Sequence, residues 1–103
     1  MLESAEKDLK ELRSYILKTF SVETWNNTYS QIKESIRNLG QFAQLGNIPI
    51  EIESLNLAQY RQIISGMNRI IYEIRHETLY IHIIVDSRRD MQSLLTRRLL
   101  RIV

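Results

Sequence analysis

The 103-residue sequence has no cysteine, one proline and three glycines. Without cysteine there is no disulfide, no thiolate zinc ligand and no cysteine nucleophile, which suits a reducing compartment. No apolar run approaches the ~20 residues that span a bilayer, so no membrane partner is expected. The opening MLESAEKDLKEL carries charges where a signal peptide needs an apolar core, which points to the cytoplasm. The sequence also lacks a glycine-rich phosphate loop, H-E-x-x-H and G-x-S-x-G. Its two histidines, His76 and His82, fall on opposite faces of the sheet described below, so neither a metal nor a cofactor is expected.

What is present is ordinary for one folded domain, here residues 1–103: 44% hydrophobic and 25% charged. Net charge is only +2, but five arginines (Arg88, Arg89, Arg97, Arg98, Arg101) face one acid, Asp90, from position 88 onward. Such a basic end suits nucleic acid or an acidic protein, or it simply keeps a helix face solvated.

Two amphipathic helices open the chain. Ser4 is placed to cap the first, and Ala5, Leu9, Leu12, Ile16 and Phe20 recur at helical spacing, which predicts a helix over 5–19. Ser21 restarts the pattern, and Trp25, Tyr29, Ile32, Ile36 and Leu39 form a second stripe ending at Gly40, a C′ position. The short break predicts an antiparallel helical hairpin. Residues 41–57 have no clean period, and Gly46, Asn47 and Pro49 mark a turn there.

The stretch from Tyr60 to Asp86 alternates apolar and polar residues through three runs. This predicts strands over 60–65, 68–76 and 79–86, with a type II′ turn at Gly66-Met67 and a second turn at Glu77-Thr78. In that register Ile63, Ile70, Tyr72, Ile74, Ile81, Ile83 and Val85 form the core face under the helices. Tyr60, Gln62, Ile64, Arg69, Ile71, Glu73, Arg75, Tyr80, His82, Ile84 and Asp86 form an open polar face, with Arg69 opposite Asp86, Glu73 opposite His82 and Arg75 opposite Tyr80. Ser87-x-x-Asp90 reads as a capping box, and Met91, Leu94, Leu95, Leu99 and Ile102 predict a final helix. The expected fold is α+β: a helical hairpin on a three-stranded antiparallel meander, then a short C-terminal helix.

That order, together with SAEKDLKEL in the first helix, G-x2-R-I-I-Y at the first hairpin and R-R-D-x3-LL-x2-RL at the end, resembles the RelE/ParE superfamily of bacterial toxins. These are the toxic halves of type II toxin–antitoxin modules. The resemblance covers most of the chain, and the ending looks ParE-like. The family begins with a strand before its first helix. Here only Met1, Leu2 and Glu3 precede Ser4, so that strand is vestigial or lies upstream of this start. If it is missing, a sheet edge stands open to another chain.

The superfamily implies two activities. RelE-like members cleave messenger RNA in the ribosomal A site, and ParE-like members bind DNA gyrase and trap it on cleaved DNA. Carried over from the nuclease branch, the hairpin arginine is Arg69 and the post-strand arginine is Arg88. Two lysine positions fall on Tyr60 and Gln62, and the C-terminal tyrosine position falls near Leu94. Cleavage through a 2′-hydroxyl needs a proton acceptor, a proton donor and cations on the phosphorane. Gln62 exchanges no proton, and arginine is too basic to shuttle one. A nuclease would have to use Arg69, Glu73, His82 and Arg88.

The resemblance therefore favours a non-enzymatic, gyrase-binding toxin involved in plasmid stabilisation and growth arrest and neutralised by a cognate antitoxin. Its target surface is expected at Arg88, Arg89, Arg97, Arg98 and Arg101. Its antitoxin surface is expected at Leu12, Ile16, Trp25, Tyr60, Gln62, Arg69, Arg75 and Tyr80. A ribosome-dependent endoribonuclease is the alternative, and a non-toxic remnant serving as a binding module is the third reading.

Overall fold

The structure, a computed structural model, describes residues 1–99 other than Asn56 and Ala58. The expectations for Arg101 and Ile102 lie outside the described residues. The chain forms α1 (Glu3–Thr19), α2 (Val22–Leu39), a 3-10 helix (Ile50–Leu55), strands β1 (Tyr60–Ser65), β2 (Asn68–Arg75) and β3 (Thr78–Asp86), and α3 (Met91–Leu99). The sheet is antiparallel in the order β1-β2-β3. The α+β fold expected from the sequence is the fold found.

Local signals account for most boundaries. Ser21 caps α2, its hydroxyl accepting from Thr24 N at 3.1 Å. Ser4 does not cap α1. The helix starts two residues earlier, after Leu2, and the Ser4 hydroxyl instead donates to His82 O at 3.5 Å. Gly40 is right-handed at φ −61°, so α2 ends in tight 3-10-type bonds, Gly40 N to Arg37 O and Gln41 N to Asn38 O, both 3.1 Å. Phe20 leaves the α1 stripe. It is exposed and meets Tyr15 edge-on at 6.3 Å. The capping box closes on itself: Asp90, not Ser87, caps α3, accepting from Ser93 N at 3.2 Å.

The expected register holds for β1 and β2, with Ser65 opposite Asn68 and Gly66 at φ +60°, as a type II′ turn requires. It fails for β2 and β3. The turn is His76-Glu77, because Arg75 pairs with Thr78. Glu73 therefore lies opposite Tyr80, not His82, and Arg75 is not opposite Tyr80. A β-bulge at His82 then shifts the register by one, so Ile71 faces Ile83, Arg69 faces Val85, and Asp86 faces Asn68.

The bulge redistributes the core. Ile81 and Ile84, three apart, both point under the helices and pack with Ala5, Ile32, Leu39, Ile70 and Tyr72. Ile83 and Val85, expected on that face, point the other way with Ile71. There they are covered by Ile52 of the 3-10 helix and by Met91, Leu94 and Leu95 of α3. The face expected to be open is therefore half a second core, and the sheet is sandwiched between the helical hairpin and α3. Strict alternation hid this, since an inserted residue reverses every side chain beyond it.

No strand precedes α1 among the described residues, yet the β3 edge is not bare. Leu2 N donates to Ile81 O at 3.1 Å, Arg98 Nη2 donates to His82 O at 2.6 Å, and Ile84 N donates to Asp8 Oδ2 at 3.1 Å. The first turns of α1 and the last turn of α3 occupy edge groups that a neighbouring strand would otherwise take.

His76 adopts φ 57°, a left-handed conformation that costs a side chain about 1–2 kcal/mol. His76→Gly removes that cost but adds chain entropy to the unfolded state. A net gain of about 0.5 kcal/mol is expected, seen as a melting midpoint raised by about 2–4 °C.

Candidate functional site

The polar half of the second sheet face divides into two clusters. At the distal end, Glu73 is buried in β2 although it is a carboxylate. Its Oε1 lies 2.7 Å from His82 Nε2 and 2.9 Å from Arg75 Nη2. The bulge makes this possible by tilting His82 onto the Glu73 face. Burial pushes the Glu73 carboxyl up, but the hydrogen bonds from Arg75 and His82 outweigh it and hold it below the ordinary range. Tyr60 meets His82 edge-on at 5.4 Å, and the Arg75 guanidinium lies 4.7 Å over the Tyr80 ring. Burial, and then the Glu73 charge, raise the Tyr60 hydroxyl above its ordinary value, so it is no base at neutral pH.

At the proximal end, Arg69 is held by Glu51 and Gln62. Its Nη1 and Nη2 donate to the two carboxylate oxygens of Glu51 at 2.8 and 2.9 Å, and its Nε donates to Gln62 Oε1 at 2.8 Å. The side chains are only 12% and 19% exposed, so this fork clamps the 3-10 helix onto the sheet. Arg69 hydrogen bonding holds Glu51 below the ordinary carboxylate range. Arg69 and Glu73 stand four positions apart along β2, about 13 Å, so the two clusters do not converge on one phosphate.

The C-terminal arginines also divide. Arg98 turns inward, donating to Asp8 at 3.1 Å and to His82 O, and its side chain is 19% exposed. Arg88 is exposed and held by a bidentate pair with Asp86 at 2.9 Å, which keeps the Asp86 carboxyl low and the guanidinium fully charged. Arg89 and Arg97 face solvent.

Two grooves flank the helices. One, about 350 Å³, runs between α1 and β3 and is lined by Leu12, Tyr15, Ile84, Asp86, Arg88 and Arg89 among others. The second, about 530 Å³, lies along α1 and α2. Trp25 and Tyr29, stacked 5.2 Å apart, line it with Leu9 and Ile36, and Lys10, Arg13 and Lys33 also border it. Leu12 and Trp25 thus sit in different grooves, while Ile16 is buried within the fold.

Sequence reasoning did not find Glu51, Asp8 or the Tyr72 hydroxyl. Tyr72 Oη, fully buried, donates to Ala43 O at 2.8 Å and accepts from Gly46 N at 2.9 Å, pinning the 42–47 loop. Their partners lie 18 to 90 residues away, beyond any local signal.

The fold and these surfaces define a small α+β domain with charged and apolar grooves around a braced sheet. The family model described as the ParE toxin of the type II toxin–antitoxin system, parDE, matches residues 1–91. The chain belongs to that family, and so is a toxin of the RelE/ParE superfamily, which implies a cognate antitoxin partner. Comparison with individually curated proteins gives no match. No helix among the described residues is long and apolar enough to cross a membrane.

Proposed function

We propose that this toxin acts in the cytoplasm without catalysis, by binding DNA gyrase, and that its antitoxin silences it. The observation that carries the reading is the division of the arginines. Arg69 is consumed by Glu51 and Gln62, whereas Arg88 (paired with Asp86) and Arg89 stay solvent-facing at the β3–α3 corner and Arg97 in the last turn of α3. A gyrase–DNA complex offers the negative charge they would meet. The antitoxin surface is the groove along α1 and α2, where Trp25 and Tyr29 lie beside Lys10, Arg13 and Lys33 with only Glu6 opposing them. An acidic amphipathic segment fits that chemistry. A second contact is the α1–β3 groove at Leu12, and the exposed Arg75 with the half-buried Tyr80 of the distal cluster offers a third.

Purified toxin is expected to block gyrase supercoiling, and added antitoxin to restore it. Arg88→Glu with Arg89→Glu should weaken inhibition at least about tenfold, the effect of losing roughly 1.4 kcal/mol of binding. Normal supercoiling at saturating, folded toxin would sink the reading.

The 2.7 Å His82–Glu73 contact favours one alternative, a ribosome-dependent ribonuclease with His82 as proton carrier. Codon-phased cuts in translated messages, abolished by His82→Gln, would replace the first reading with this one. Induction without antitoxin that leaves growth unchanged would instead support a non-toxic binding remnant.

A further inference from the structure

We propose that the cleft between α1 and β3 is a nucleotide-binding site, which takes a single guanine base with its phosphate at the β3–α3 corner. Asp8, Glu11, Leu12 and Tyr15 stand at positions i, i+3, i+4 and i+7 of α1, so one stripe of the helix faces the end of β3. The cleft encloses about 350 Å³, at the small end for a ligand site. That is room for one base and its sugar, not for a duplex. Its floor is apolar, Leu12 against the buried Ile84, and the Tyr15 side chain beside them is 47% exposed. A planar base with apolar faces suits such walls.

The charges around the cleft are not equally available. Of the three carboxylates that line it, Asp8 is taken by Arg98 and by Ile84 N, and Asp86 by Arg88. The third, Glu11, is exposed, and its side chain has no ion-pair partner among the described residues. The same holds for Arg89 on the opposite wall. Arg88 grips Asp86 through Nε and Nη2, which leaves its Nη1 to donate elsewhere. The cleft therefore presents one free acceptor group on α1 and free guanidinium donors across from it.

A nucleotide has the matching polarity. Its phosphate accepts from Arg89 and from Arg88 Nη1. The Glu11 carboxylate accepts from the edge of the base. Guanine alone among the common bases carries two adjacent donors on its Watson–Crick edge, N1–H and the N2 amino group, and one carboxylate can take both. An acidic peptide fits less well, because its carboxylates would meet Glu11 and Asp86. The cleft shares Leu12 with the second antitoxin contact, so an antitoxin seated there excludes the nucleotide.

Titrating the purified full chain while following backbone amide NMR shifts tests the proposal. The probes are guanosine 5′-monophosphate, inosine 5′-monophosphate, which lacks only the N2 amino group, inorganic phosphate, and a short guanine-containing single-stranded DNA. The guanosine nucleotide is expected to give saturable shifts at Leu12, Tyr15 and Ile84, and to bind about tenfold more tightly than the inosine nucleotide. Glu11→Ala should make the two nucleotides equal while keeping the spectrum of a folded chain. Arg89→Ala should weaken both by about tenfold. The oligonucleotide separates the sources: tighter binding than the mononucleotide marks nucleic acid as the occupant, and weaker binding marks a free nucleotide. No saturable shift up to about 10 mM from either the mononucleotide or the oligonucleotide overturns the proposal. So does phosphate alone binding as tightly as the guanosine nucleotide, or a guanosine preference that survives Glu11→Ala. This site and the gyrase reading both use Arg88 and Arg89, but the titrations contain no gyrase and turn on Glu11, so each can fail without the other.

Discussion

Arg69→Ala, or Glu51→Ala, is expected to destabilise the fold by about 3 kcal/mol, because each leaves a largely buried charge without its partner. For a domain of this size that lowers the melting midpoint by more than about 12 °C. The pair itself is worth less than either loss implies, since its desolvation opposes the attraction. The double replacement Arg69→Met with Glu51→Leu should therefore recover most of the stability, and a double-mutant cycle by chemical denaturation measures the difference. The sign with pH follows from the hydrogen bonds that hold the Glu51 carboxyl low. A carboxylate lowered on folding contributes stability above its unfolded value, about 4.3, and loses it as pH falls through the folded value. Glu51→Gln should thus flatten the acid limb of the stability curve. An acid limb as steep as the wild type's would show that the clamp does not govern it. Gyrase inhibition, if it depends on Arg88 and Arg89, should persist in the double variant, which separates bracing from binding.

The second large effect is expected at Gly46. A Cβ there would stand 2.5 Å from the Tyr72 hydroxyl and closer still to the Gln62 carbonyl oxygen. Neither can yield easily, one being fully buried and the other strand backbone. Gly46→Ala should cost at least about 2 kcal/mol by overpacking and free the 42–47 loop from β1. Tyr72→Phe approaches the same interaction from the other side. It leaves Gly46 N and Ala43 O without their partner and should cost about 2 kcal/mol. The two losses should not add, because both break one contact. Backbone amide exchange at Gly46 and Asn47 would accelerate in both variants, and additive losses with unchanged exchange would refute the shared pin.

A consequence for function follows from where these braces lie. Asp8, Glu51, Glu73 and Asp86 each pair with a basic side chain: Arg98, Arg69, Arg75 and Arg88. Counting arginines therefore overstates the charge available to a target. After the corner of β3, Arg89 and Arg97 face solvent, and Arg88 faces it already paired with Asp86, fewer free cations than the basic ending suggests.

Local chemistry was sufficient for the three α-helices, the three strands and their order, but not for the 3-10 helix at Ile50–Leu55. Helical spacing placed α1 and α2, glycine placed the type II′ turn, and alternation placed the strands, because each signal lies within a few residues of its effect. The motifs around Arg69 and Arg88 likewise marked the toxin family before any contact was known. Tertiary structure alone decided which face each strand residue occupies beyond His82. The bulge there inserts one residue and reverses Ile83, Ile84 and Val85, and no nearest-neighbour pattern distinguishes that from straight alternation. It also decided the arginines' partners. Arg69 was expected to face Asp86 and instead grips Glu51, and Arg98 was expected to face a target and instead holds Asp8. Charge is visible in a sequence. Which charges a fold neutralises depends on elements meeting across dozens of residues, and only the packed chain brings them together.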